Sequence, residues 1–272
     1  MRKLVAILAA FTVAGVANGA PYWVVENQSN QVFRVDVNTR VATLVGPAGV
    51  DFVFGGLGFS TNGTLYAWNT NPGNLYTVNQ LTGGMTLVGG SGLFGADTFD
   101  INPLTNGAIA WSVSGSLNDV NLATGNTTFR VNTSPSNSGI ASAFGPDGTY
   151  YQLNRDADVL NRVDINTGAV TLIGALGQNL NGTNLGFNPD DGFLYSINIQ
   201  DPNFSLFRIN PFTGQATLLG GVTGLPSGGS QQITAGTFQV AAVPEPISMV
   251  VFGSLVVGGI VAVRRRMAKA AA

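Results

Sequence analysis

The sequence predicts an all-β fold: a five-bladed β-propeller of four-stranded antiparallel blades, closed by a C-terminal strand and followed by one C-terminal transmembrane helix. Three observations predict it. A motif recurs five times at a near-constant period, the repeat array begins and ends out of phase, and an uncharged apolar run sits just ahead of three arginines.

The chain begins with Met1-Arg2-Lys3 and an apolar run from Leu4 to Val16, broken only by Thr12 and Gly15. Small residues follow in Ala17-Asn18-Gly19-Ala20. This is the pattern of a signal peptide over residues 1–20, cut after Gly19 or Ala20, with the Ala17/Gly19 pair the better match to the small-residue rule.

Residues 21–242 form the repeat domain. The signature reads VFRVDVNTRVATLVG from Val32, LYTVNQLTGGMTLVGG from Leu75, LNDVNLATGNTTFRV from Leu117, LNRVDINTGAVTLIG from Leu160 and LFRINPFTGQATLLGG from Leu206. The residues after the turn threonine are Arg40, Gly83, Gly125, Gly168 and Gly214, spaced 43, 42, 43 and 46. That period suits four short strands per unit, which is what a propeller blade needs; an open solenoid or a sandwich is the alternative architecture. In the second unit the four strands are expected at Gly56–Ser60, Thr64–Trp68, Leu75–Val78 and Met85–Val88. Asp36, Asn79, Asn121, Asp164 and Asn210 end the third strand of each unit, where an Asx side chain accepts from the backbone two residues on. The following glycine supplies a left-handed position. Arg40 breaks that rule, so its turn is either different or mildly strained.

The first unit opens at Tyr22-Trp23-Val24-Val25, already its second strand, and Ile233 to Val240 is a β run with no successor. Pairing the two closes the ring and removes an open edge. Small residues at Gly56, Gly58, Ala143, Gly186, Ala235 and Gly236 suit inner strands crowded around a narrow axis. In such a ring the variable loops after the second and fourth strands share one face, and binding residues favour variable loops on a rigid scaffold.

Residues 243–272 form the tail. Pro244-Glu245-Pro246 precedes the uncharged run Ile247 to Val263, long enough for a spanning helix, and Arg264-Arg265-Arg266 follows. The arginines belong on the cytoplasmic side, which leaves the domain outside. This tail resembles the PEP-CTERM sorting signal. The resemblance implies processing near Pro244–Pro246 by an exosortase-type membrane protease in a Gram-negative bacterium that makes exopolysaccharide. It also implies an inner-membrane-anchored precursor whose domain ends at the cell surface or in the matrix. The repeats are also similar to those of bacterial propeller proteins of unassigned activity.

Composition narrows the chemistry. The chain has no Cys and no His, which removes disulfides, thiolate metal sites and every catalytic arrangement built on His. No cofactor or metal is implied. Within residues 21–243 six Arg and no Lys face thirteen acidic residues, a net charge of −7. An acidic, Lys-free domain is a poor partner for nucleic acid.

Ends of the second strands align into a polar column, Glu26, Asn69, Ser112, Asn154 and Asn198, spaced 43, 43, 42 and 44. The column offers hydrogen bonds to a sugar or another polar ligand, such as exopolysaccharide or other surface glycans; the plainer role is capping of strand ends. Trp68 and Trp111 each precede a column residue, placed either to stack on a sugar or to fill the blade core. Asp156-Ala157-Asp158 and Asn188-Pro189-Asp190-Asp191-Gly192 carry oxygen ligands but lack calcium-loop spacing, and turn chemistry explains them. Several Asn-x-Ser/Thr triplets are expected in a chain this rich in Asn and Thr. The sequence thus reads as a non-enzymatic, exported binding or structural protein. The alternative is a secreted carbohydrate-active hydrolase, but Glu26 is the sole Glu of the domain and no motif places an acidic pair.

Overall fold

The computed structural model describes residues 19–135, 141–182, 184–198, 204–226 and 232–239. Most of the signal segment, and the tail with Pro244, Glu245, Pro246, the run 247–263 and Arg264–Arg266, lie outside the described residues. Among the described residues no helix is long and apolar enough to cross a membrane.

Among the described residues twenty strands form five four-stranded sheets. The first blade contributes β1 (Tyr22–Glu26), β2 (Gln31–Asp36) and β3 (Val41–Pro47). The second is β4 (Gly55–Phe59), β5 (Leu65–Asn69), β6 (Asn74–Val78) and β7 (Met85–Gly90). The third is β8 (Ala96–Ile101), β9 (Ala108–Ser112), β10 (Ser116–Val120) and β11 (Thr127–Asn132). The fourth is β12 (Ala141–Phe144), β13 (Tyr150–Asn154), β14 (Val159–Val163) and β15 (Val170–Ala175). The fifth is β16 (Gly186–Asn188), β17 (Phe193–Ile197), β18 (Ser205–Ile209) and β19 (Ala216–Gly221), and β20 (Ile233–Phe238) completes the first. The strands expected in the second unit appear with their ends shifted by a residue or two.

Closure follows the sequence expectation. β20 pairs antiparallel with β1, setting Tyr22 opposite Phe238 and Val24 opposite Gly236. Of the expected Ile233–Val240 run, Ile233–Phe238 forms the closing strand, and Val240 lies outside the described residues.

The apolar cores lie between blades. Tyr22 and Val24 pack with Tyr195, Ile197 and Phe238, whereas Trp23 and Val25 pack with Leu57, Phe59 and Leu65. Alternate side chains of one strand therefore serve the two neighbouring blades. This explains why β1, β9 and β13 are buried along their whole length and read as continuous runs without polar alternation. Trp68 and Trp111 are fully buried in such cores, so neither is available to stack on a sugar.

Blades approach closely at the inner strands. A Cβ on Gly56 would stand 2.3 Å from the backbone N and O of Phe99 in the next blade, so a side chain there would force the blades apart. The five turns between third and fourth strands share one geometry. Oδ1 of Asp36, Asn79, Asn121, Asp164 and Asn210 accepts from the backbone two and three residues on in every blade. Arg40 makes this same turn, with φ of 59° where Gly83 has 77°. The turn is unchanged and Arg40 carries the strain.

Candidate functional site

The polar column is built as the repeat demands, with each member at or beside the end of its blade's second strand. The side-chain polar atoms of Glu26, Asn69, Ser112 and Asn154, however, bond backbone groups of nearby loops. Glu26 is fully buried, and its carboxylate accepts from the backbone N–H of Gln28 and of Ser29, both at 2.8 Å, and from the Ser29 hydroxyl. Asn69 Oδ1 accepts from Val53 N at 3.3 Å while its Nδ2 donates to Asp51 O at 2.7 Å. That side chain therefore holds the loop arriving from the first blade. Ser112 Oγ accepts from Ser114 N at 3.2 Å. Asn154 Oδ1 accepts from Asp156 N and Ala157 N at 3.0 and 3.1 Å. Asn198 closes its loop through its own N–H to Ser205 O at 2.9 Å. The five positions are thus the posts on which the loop face is hung.

The Asp/Asn segments behave as turns. In the fourth blade the Asn154 cap spans Arg155 to Ala157, and Asn188 Oδ1 accepts from Asp190 N at 3.0 Å. Among the described residues no group of three or more acidic side chains is placed to hold a metal ion.

At the short-turn end the inner strands leave a cavity of about 10 Å³ lined by Phe59, Asp100, Ile101, Phe144, Phe187 and Phe238. That is room for about one water molecule. Asp100 reaches across this gap. Its Oδ2 accepts from Phe144 N of the next blade at 2.6 Å, and its Oδ1 from Ile101 N at 2.7 Å. Burial raises its carboxyl to about 7, with the two N–H bonds pulling the other way. Sequence reasoning passed over Asp100, although an acid inside the apolar run Thr-Phe-Asp-Ile was a signal. Asp97, three residues earlier on β8, occupies a bulge; its carboxyl is also raised, mainly by burial, and accepts from Thr70 Oγ1 at 3.3 Å.

A second unforeseen feature lies on the short-turn face, opposite the face expected to bind. An open groove of about 840 Å³ runs between the third and fourth blades. Leu104 and Ile165 supply apolar patches, and Asn102, Asn166, Asp147 and Arg162 supply polar ones. Arg130, on the same wall, is committed to Asp119 at 2.7 Å and to Asn166 Oδ1 at 3.2 Å. Arg162 makes no ion pair among the described residues. Arg34 and Arg208, which match it in their blades, lie over the rings of Trp23 and Phe193 at 5.6 and 4.5 Å. The groove has the volume of a small-molecule site and mixes charges of both signs.

Comparison with known proteins adds the following. A family model described as a repeat of unknown function (DUF6923) matches residues 183–243, the span of the fifth blade and the closing strand. No curated protein matches the chain. A chain in a crystal structure of a nidogen/laminin complex is similar at 16% identity and a TM-score of 0.53, over 80% of this chain and 82% of that one. A structural genomics protein of unknown function from Bacteroides thetaiotaomicron VPI-5482 is similar at 13% identity and a TM-score of 0.53, over 79% of this chain and 62% of that one. At these identities the likeness is one of fold: the chain is a five-bladed propeller of four-stranded blades, and residues 183–243 of it match the DUF6923 repeat model.

Proposed function

We propose that the chain is an exported protein of the Gram-negative cell surface or extracellular matrix, with a non-enzymatic binding or structural role. In this reading residues 1–19 or 1–20 direct export, and the tail of residues 243–272 holds the precursor in the inner membrane. An exosortase-type protease then releases the domain near Pro244-Glu245-Pro246.

The observation that carries the proposal is the closed ring, which in the sequence stands between the apolar start of residues 1–20 and the tail of residues 243–272. Its five inter-blade cores make a rigid scaffold, and Glu26, Asn69, Ser112, Asn154 and Asn198 hold variable loops on one face of it. A ligand on that face, with exopolysaccharide or another surface glycan as the favoured class, meets the loops those residues support. The similar chain in a nidogen/laminin complex suits a recognition role, an argument from fold alone.

The test is a glycan-array screen of the domain from Pro21 to Val243, with each hit then assayed for hydrolysis. Binding without product release is the expected result. Release of reducing ends would replace the reading with the carbohydrate-active hydrolase, and a fully negative screen would leave the structural half of the proposal alone.

A further inference from the structure

The sequence leaves two bonds open to the export protease, Gly19–Ala20 and Ala20–Pro21, and the fold distinguishes them. Ala20 N donates to Asp190 Oδ2 at 2.6 Å, across 170 residues, on the turn that opens the fifth blade's second strand. The Ala20 methyl packs against the core shared by the fifth and first blades. Gly19 is exposed, with its Cα beside the same carboxylate: a Cβ there would lie 3.4 Å from Asp190 Oδ2. The neighbouring acid is otherwise occupied, since Asp191 accepts from Phe193 N at 3.0 Å and from the Tyr195 hydroxyl at 2.6 Å.

We infer that export cleaves the Gly19–Ala20 bond and that the new α-ammonium of Ala20 docks on the Asp190 carboxylate, tying the mature N-terminus to the ring's closing seam. The inference rests on the export reading proposed above. Hydrolysis adds the hydroxyl of water to the Gly19 carbonyl carbon and its proton to the Ala20 nitrogen. The amine takes a second proton from solvent, because an α-amino group beside a carboxylate stays charged at neutral pH. One neutral N–H donor at 2.6 Å thereby becomes a cation with three donors, at the same place and on the same acceptor. A cut after Ala20 instead discards the residue that makes both contacts, and its scissile bond is the tertiary amide of Pro21. Ala17 and Gly19 are also the small pair that the signal-peptide rule asks for.

The absence of Lys between residues 21 and 243 makes this testable. Lys3 leaves with the signal and Lys269 with the tail, so the processed protein holds one amine. The protein exported by its host is purified, its N-terminus sequenced, and its amine acetylated with acetic anhydride. The expected results are a start at Ala20, a single acetyl adduct, and a Tm lowered by about 1–3 °C, as for a partly exposed ion pair. Asp190→Asn should lower Tm by a similar amount and make acetylation silent. A start at Pro21 overturns the inference while leaving export intact, and a start at Met1 overturns both. A start at Ala20 with an unchanged Tm on acetylation, or with an equal loss in the Asp190→Asn protein, rejects the docking.

Discussion

Arg40 lies across Gly220: a Cβ on that glycine would stand 3.2 Å from Arg40 Nε. At this seam between the fifth and first blades, Thr223 N donates to Arg40 O at 2.9 Å and Ala42 N to Thr223 O at 2.7 Å. Elsewhere the turn position is glycine and the approach is tighter, so that a Cβ on Gly83 would stand 2.6 Å from Gly46 O. Gly83→Ala should therefore cost at least ~2 kcal/mol, from left-handed strain and the collision together. Arg40→Gly should change stability by no more than ~1 kcal/mol, because relief of strain is offset by a freer unfolded chain. Urea midpoints of the two variants measure the contrast, and equal midpoints would contradict it.

Asp100 makes stability depend on pH. Its carboxyl is raised from 3.8 to about 7, so the folded state holds the proton more tightly than the unfolded chain. The contribution is fully present below about 4 and is lost as pH rises through about 7, amounting to a few kcal/mol at most. Asp100→Asn should flatten the Tm profile between pH 5 and pH 8. An unchanged slope would show that the carboxyl titrates normally.

The closing seam is held by a buried amide. Asn184 Oδ1 accepts from the Tyr22 hydroxyl and from Ile197 N, both at 2.8 Å, and its Nδ2 donates to Ile197 O and Ile233 O at 2.9 and 3.0 Å. Asn184→Ala orphans several of these buried partners and should cost about 3 kcal/mol or more. Deleting residues 233–238 removes the Tyr22–Phe238 stack, with ring centroids 4.7 Å apart, and bares β1. That protein should aggregate or melt far below the intact chain, and a retained Tm would rule out the closed ring.

The column predicts a graded series. Glu26→Ala leaves two loop N–H groups without their acceptor beside a fully buried site and should cost about 2–3 kcal/mol. Glu26→Gln keeps one acceptor oxygen and should cost about half as much. Asn154→Ala, in a more open turn, should cost about 1 kcal/mol. Thermal melts rank the three, and a reversed order would mean that the column does not hold the loops.

Blade number, ring closure and the five Asx turns were legible because each is written locally and repeated: Asp36 and its four equivalents cap the same turn wherever the motif recurs. Long-range polar contacts were not. Asn184 sits in a stretch with no repeat signal, and Asp100 owes its character to a neighbouring blade's Phe144 N–H. On the fourth strands composition is a poor guide to burial. Leu44, Leu87, Phe129, Leu172 and Leu218 look like core residues but are more than half exposed, at 51–63%. They lie on the outermost strand, each next to a register shift that re-aims the chain in all five blades, the unpaired residues being Val45, Val88, Arg130, Ile173 and Leu219. The groove was illegible because it is assembled from short turns of two blades.

The export-and-release reading is tested most directly by the C-terminal mass of the protein recovered from the surface of its native host. The account predicts a chain ending near Pro244–Pro246, and retention in the membrane when Pro244, Glu245 and Pro246 are replaced by Ala. A mature surface protein that still carries Arg264–Arg266 would contradict it.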